Sequence, residues 1–302
     1  MKKITLLVLG LLAFNQVDAQ YSKELQLKYV TELSSDAMKG RKFGSPENRL
    51  AAELIAEKFK QNKLKPCVGD SFLIEFEHNG KVGQNVCGIK VGQSKDIYAF
   101  GAHFDHVGTD SSKEDSIYNG ADDNASGTSA VMALTDFFRK NKTKQTLMFM
   151  AFDAEEIGIV GSKKIADNKD FQQYLPNMKV MLNMEMIGTI SAFGEGKVYM
   201  TGSDRSDLMD LMNKNAEGDF QVVSDPYLKE QLFYRSDNVS FVNHKVVSHS
   251  LSTVDMNNQN HYHRKNDEIG VIKVDNLTKI TEGIGKTMLK MMKQNEAPTY
   301  FK

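Results

Sequence analysis

Two uninterrupted apolar runs, at 97–102 and 146–152, frame the middle of the chain. Neither alternates with polar residues, so each reads as a strand of a sheet covered on both faces. Between them, 125–139 brings Val131, Met132, Leu134 and Phe138 onto a helical period. Strand, helix and strand in that order form a βαβ unit, which favours parallel pairing. Earlier helices are expected at 22–33 and 46–59. The second has Ser45 at its N-cap and Pro46 in the first helical position, both good start signals. Further strands are expected at 71–77, 85–91, 180–184, 198–201 and 246–251, and further helices at 161–166, 206–216 and 274–292. The last helix carries Ile280, Ile284, Met288, Met291 and Met292 on one period, a pattern of core packing. Alternating strands and helices predict an α/β fold, a doubly wound, mostly parallel central sheet flanked by helices.

The amino-terminal pattern is different. Lys2 and Lys3 precede an apolar run at 4–14, and Val17-Asp18-Ala19 resembles a small-residue cleavage site. Residues 1–19 therefore read as a secretory signal peptide, too short to span a membrane. Export to the periplasm or the extracellular space is the expectation. No other stretch is apolar enough to cross a bilayer, and no Pro-rich or Ser/Gly-rich linker divides the rest, so 20–302 reads as a single domain. The formal net charge of −1, with both signs interspersed, gives no reason to invoke nucleic acid. Cys67 and Cys87 are the only cysteines, and a disulfide between them is permitted in an exported protein.

Three acidic-and-histidine clusters follow strand-like runs: Gly-Ala-His-Phe-Asp-His (101–106), Gly-Ala-Asp-Asp-Asn-Ala-Ser-Gly (120–127) and Asp-Ala-Glu-Glu (153–156). Doubly wound sheets bind ligands beyond the carboxyl ends of their strands, and carboxylates are rarely buried unless paired or coordinating a metal. His103 is a candidate zinc ligand that Asp105 can steady, with His106 as its competitor. One of Asp122 and Asp123 can bridge two cations while the other caps a helix. Of Glu155 and Glu156, one can ligate metal while its neighbour moves a proton. Glu185 and His263 offer the remaining donors.

The ordered motifs His103-Phe104-Asp105, 120–127, Ala-Glu-Glu-x-Gly at 154–158, Asn-x-Glu-Met-Ile-Gly at 183–188 and Tyr-His-x-x-x-Asp at 262–267 resemble those of the M28 family of zinc aminopeptidases. The resemblance runs from about residue 30 to 292. It implies a two-zinc exopeptidase acting on peptides, in which Asp123 bridges both ions. His103 and Glu185 would complete one site, and Glu156 and His263 the other. Glu155 would be the general base and Asp105 a partner of His103. His106 and Asp122 then become loop and cap residues. The position of Glu185 is more often aspartate, so its extra methylene shifts the expected geometry. The Tyr-His-x-x-x-Asp pattern selects His263 over His261.

Residues 235–238 resemble a stretch that usually reads Ser-Asp-His. They are expected to line the cleft, with Asn238 in place of the histidine and without a catalytic role. Pocket walls are expected from 190–195 and 225–245, with Phe233, Tyr234 and Phe241 as apolar candidates. The same site could instead serve a carboxypeptidase or dipeptidase. The scaffold also suits a glutaminyl cyclase, typically with one zinc, and a non-catalytic peptide-binding module.

Overall fold

In a computed structural model that describes residues 22–112, 115–258 and 260–301, the two apolar runs lie side by side. The expected signal peptide lies outside the described residues. The strands are β1 (Lys65–Pro66), β2 (Leu73–His78), β3 (Lys81–Lys90), β4 (Ile97–His103), β5 (Gly108–Thr109), β6 (Ile117–Tyr118), β7 (Thr146–Phe152), β8 (Met178–Met184), β9 (Lys197–Met200), β10 (Gln221–Ser224) and β11 (Ser248–Ser252). The α-helices are α1 (Lys23–Leu33), α2 (Pro46–Gln61), α3 (Gly127–Lys140), α4 (Val160–Ala166), α5 (Leu208–Asn215), α6 (Asn238–Val242) and α7 (Val274–Lys293).

Nine strands form one sheet in the order β1-β3-β7-β4-β8-β11-β9-β10, with β2 also paired to β3. β4 runs parallel to both β7 and β8, and β8 runs parallel to β11. The parallel character expected from the βαβ pattern thus runs through the middle four strands and recurs between β9 and β10. β3 joins β7 antiparallel and β11 joins β9 antiparallel, which makes the whole sheet mixed. β2 and β3 are antiparallel too, being joined through Asn79 and Gly80, a hairpin-length connection that only antiparallel strands can use.

Alternation along the buried strands feeds two separate cores. Tyr98, Phe100, Leu147 and Phe149 point into the core shared with α1, α2, α3, α5 and α7. Ala99, Met148, Met150 and Phe152 point into the core on the face of α4 and α6. The methionine stripe of α7 is buried, as its period requires. Cys67 and Cys87 are joined in a disulfide that ties the segment after β1 to β3.

The expected helix at 125–139 begins later and more irregularly. Asp123 and Asn124 leave helical geometry, and the peptide between them is cis. The Asn124 side chain fills the gap, donating to the Met184 carbonyl and accepting from the amides of Gly127 and Met186. Those bonds tie the irregular turn that carries Asp123 to the end of β8.

Candidate metal centre

His103 is the last residue of β4, directly opposite Phe152 of β7. Glu155 and Glu156 follow β7 by one turn, and Glu185 follows β8. Three strands in the middle of the sheet therefore release their polar residues at one edge. The irregular turn before α3 and a loop before α7 add Asp123 and His263 from above.

The two oxygens of Asp123 face different partners. Oδ1 lies 3.4 Å from His103 Nε2, which is itself 3.3 Å from Glu185 Oε1. Oδ2 lies 3.3 Å from His263 Nε2 and 3.6 Å from His106 Nδ1. Glu156 spans those two rings, with Oε1 2.8 Å from His106 Nδ1 and Oε2 2.7 Å from His263 Nε2. Two donor groups result, His103–Asp123–Glu185 and His106–Asp123–Glu156–His263. Within each group the donor atoms lie within 4.8 Å of one another.

These donors fit zinc. Imidazole and carboxylate are its ordinary nitrogen and oxygen ligands, and Asp123 Oδ2 is buried without a hydrogen bond of its own. A buried carboxylate oxygen left unpaired among imidazoles is costly unless a cation completes it.

Supporting contacts hold each donor. Ser236 Oγ donates to Glu185 Oε2 at 2.6 Å. The Asp105 carboxylate is 3.6 Å from His103 Nδ1, and it accepts the amides of Glu155 and Glu156 at 3.0 and 3.3 Å. Asp105 thus fixes the strand-end histidine and the glutamate pair together. Asp267 accepts the amides of Asp122 and Asp123. Asp122, expected to be a cap, instead accepts from the Gly188 amide and pairs with His261 at 2.9 Å. That pairing takes His261 out of the donor groups and leaves His263 in them.

His106 lies in the loop between β4 and β5, as expected, but its ring turns inward. Its ring is buried, and burial, its largest influence, pushes it down to about 3 and keeps it neutral. A neutral imidazole carries one N–H, and with Nδ1 facing a carboxylate oxygen at 2.8 Å that proton belongs on Nδ1. Gly120, at φ +57°, packs against this ring. A Cβ there would sit 2.6 Å from the imidazole and 2.3 Å from the Asp123 carbonyl oxygen.

Nothing in the sequence marks Arg41 beyond its glycine neighbour. It is fully buried and donates to four backbone carbonyls: Leu33 at 2.5 Å, Phe104 at 2.6 Å, Asn119 at 2.7 Å and Gly120 at 2.9 Å. Two of these acceptors flank His103 and Asp123, so one guanidinium clamps both donor-bearing segments. Burial drives it down to about 10, against the charges of Asp267, Asp123, Asp105 and Glu156, which leaves it a cation at neutral pH.

Charge within the centre is mutually dependent. Burial works against a protonated His263, but its close approach to the Asp123 and Glu156 carboxylates outweighs it and raises the ring to about 10. His103 is likewise held well above its ordinary value, because the charges of Glu185 and Glu155 overcome its burial. Burial pushes Glu155 well above the usual carboxylate range, and Glu185, Asp237 and Glu156 add to this while His103 opposes it.

The cleft over the centre includes Met186, Tyr199, Leu232, Arg235, Val254 and Met256 in its walls. Residues 190–195 do not line it. Phe233 and Phe241 are buried, Phe241 against Phe152 and Phe171, and Tyr234 is turned outward under Arg205. The walls come from the ends of β8, β9 and β11 and, within the expected 225–245 stretch, from Leu232, Arg235 and Ser236. Asn238 is buried and structural, donating to the Phe233 carbonyl and accepting from Ser250.

A family model for peptidase family M28 matches residues 85–288. The chain belongs to that family. It is 31% identical over 112 residues to aminopeptidase YwaD of Bacillus subtilis, covering 36% of this chain and 23% of that protein. It is 27% identical over 170 residues to leucine aminopeptidase 2 of Arthroderma otae, covering 54% and 32%. The chain thus spans no more than about a third of the length of these curated relatives. Among solved structures it is similar to BSAP, a zinc aminopeptidase from Bacillus subtilis, with a TM-score of 0.72 and 16% identity over 92% of this chain and 97% of that one. It is also similar to a glutaminyl cyclase from Porphyromonas gingivalis, with a TM-score of 0.68 and 13% identity over 91% and 99%. At such identities the likeness is one of fold.

Proposed function

We propose that this M28 chain is an exported, two-zinc exopeptidase that removes amino-terminal residues from peptides. The observation that carries this reading is Asp123, whose two oxygens face separate imidazole–carboxylate groups. His103 and Glu185 would hold one ion, Glu156 and His263 the other, with Asp123 shared between them. A centre with both donor groups complete favours a two-ion peptidase over a one-zinc cyclase. The Cys67–Cys87 disulfide supports export, since such bonds persist in oxidising compartments.

When bound, two zinc ions supply the Lewis acidity that activates water and polarises a scissile carbonyl. The chain's own residues do the remaining work. Glu155 lines the cleft, and its raised affinity for protons suits a group that accepts one and gives it back. It takes the proton from the attacking water as the oxygen–carbon bond forms, then delivers it to the amine nitrogen as the carbon–nitrogen bond breaks. Asp105 fixes the Glu155 amide and so sets where that carboxylate can swing.

The test is Glu155→Gln assayed on aminoacyl anilides alongside zinc counting. Turnover should fall by about 10²- to 10⁴-fold with two zinc ions still bound. Near-normal turnover in the variant would remove Glu155 as the base. One zinc per chain in the parent protein would favour the cyclase.

A further inference from the structure

The cleft beside the two donor groups is mostly apolar, through Met186, Leu232, Val254 and Met256. Several of its hydroxyls are already engaged. Ser236 donates to Glu185, Ser250 to Asn238, and Ser252 to the Met186 carbonyl. Two polar groups stand apart from this pattern.

One is Arg235, the only lysine or arginine among the described residues that line the cleft. Elsewhere Arg49 is held by Glu53 and Glu75, and Arg205 by the Tyr234 hydroxyl. Arg235 has no carboxylate partner among the described residues, although it borders a centre built of carboxylates. Its base is firm: its amide donates to the Leu232 carbonyl at 3.0 Å, and the next three residues, Ser236 to Asn238, are buried. Its charge also reaches the phenol of Tyr262, which stacks on His263 at 3.9 Å. The other group is the Tyr199 hydroxyl. It is buried, borders the same cleft beside Ser252, and makes no well-formed hydrogen bond among the described residues.

A planar, permanently charged fork matches a carboxylate better than any neutral group. A basic substrate group placed here would meet repulsion, and an apolar one would strip water from Arg235 without replacing it. We propose that Arg235 receives a carboxylate of the substrate, with the Tyr199 hydroxyl as a second donor in the same cleft. Two sources present that chemistry beside a scissile amino-terminal bond: an acidic side chain on the first residue, or the free carboxyl terminus of a dipeptide. The proposal rests on the peptidase reading above and narrows its substrates to acidic ones.

The experiment uses the zinc-loaded full chain and two matched pairs. Glutamyl and glutaminyl p-nitroanilide differ only in side-chain charge, and Leu-Gly and Leu-Gly amide only in terminal charge. In at least one pair kcat/KM should favour the carboxylate about tenfold or more, mainly through KM, as one charge-assisted contact allows. Arg235→Gln should bring that ratio to within about twofold of one, and Arg235→Lys should keep part of it. The pair that responds identifies the source. Equal kcat/KM within both pairs, or a preference that survives Arg235→Gln, would overturn the proposal. If none of the four compounds is cleaved, the peptidase reading fails. Equilibrium binding of the same compounds to zinc-loaded Glu155→Gln protein still decides the subsite: a carboxylate preference there supports it, and equal binding overturns it.

Discussion

Replacing Arg41 with methionine removes a buried cation and leaves four backbone carbonyls without their donor. Each bond from a charged donor contributes about 1.5–3 kcal/mol. The guanidinium's own desolvation, several kcal/mol, offsets part of the total. Methionine fills much of the volume, so cavity formation adds little. The net loss should be about 3–5 kcal/mol, the usual consequence of breaking a buried charged network. For a domain of this size that lowers the melting temperature by roughly 10 °C. The measurement is calorimetric melting of the metal-free protein, so that zinc does not mask the effect by stabilising the native state. Arg41→Lys is the control: it keeps the charge but cannot fork to carbonyls from three segments, and should fall in between. Because Phe104 and Gly120 lie beside the donor-bearing residues, zinc affinity should drop as well, about 10- to 100-fold. A methionine variant that melts within about 2 °C of the parent would refute the clamp.

His106→Ala removes the N–H that holds Glu156 Oε1 and should weaken zinc binding about 10- to 100-fold, with Asn at that position restoring part of it; competition against a chromogenic chelator measures this. His263 in the metal-free protein is raised from 6.5 to about 10, so its contribution to stability is complete below pH 6.5 and lost as pH climbs toward 10. Melting of metal-free protein should show that loss across the window, and a rise in stability there would contradict the pairing with Glu156 and Asp123. Zinc must displace the same protons, so its affinity should increase with pH over this range, and calorimetry in buffers of different ionisation enthalpy should detect proton release.

The central donors are readable because each chemical group sits next to the strand that delivers it. A long apolar run followed at once by His103, or by Glu155 and Glu156, needs little tertiary information to be placed at a sheet edge. Glu185 likewise follows the strand expected at 180–184, whereas His263 is readable only through the ordered motifs, since nothing local joins it to the rest. Arg41 is invisible because its partners are main-chain carbonyls near 33, 104 and 120, and carbonyls carry no sequence signal. His106 is ambiguous because a histidine three residues after His103 can turn inward or outward, and only the packing of Gly120 decides. Phe233 and Phe241 look like pocket residues in the sequence but go to the interior, where aromatic area is worth most. The antiparallel pairing of β2 with β3 follows from their short connection, which boundaries off by a few residues obscure.

The order of the donors along the chain has a consequence for synthesis. His103, Asp123 and Glu156 leave the ribosome well before Glu185, and His263 arrives only after the last strand of the sheet has been made. Neither donor group exists in a nascent chain that stops short of β8, and the second waits for the segment just ahead of the final helix. A fragment that ends between Ser252 and His263 keeps every strand of the sheet yet has an incomplete second donor group.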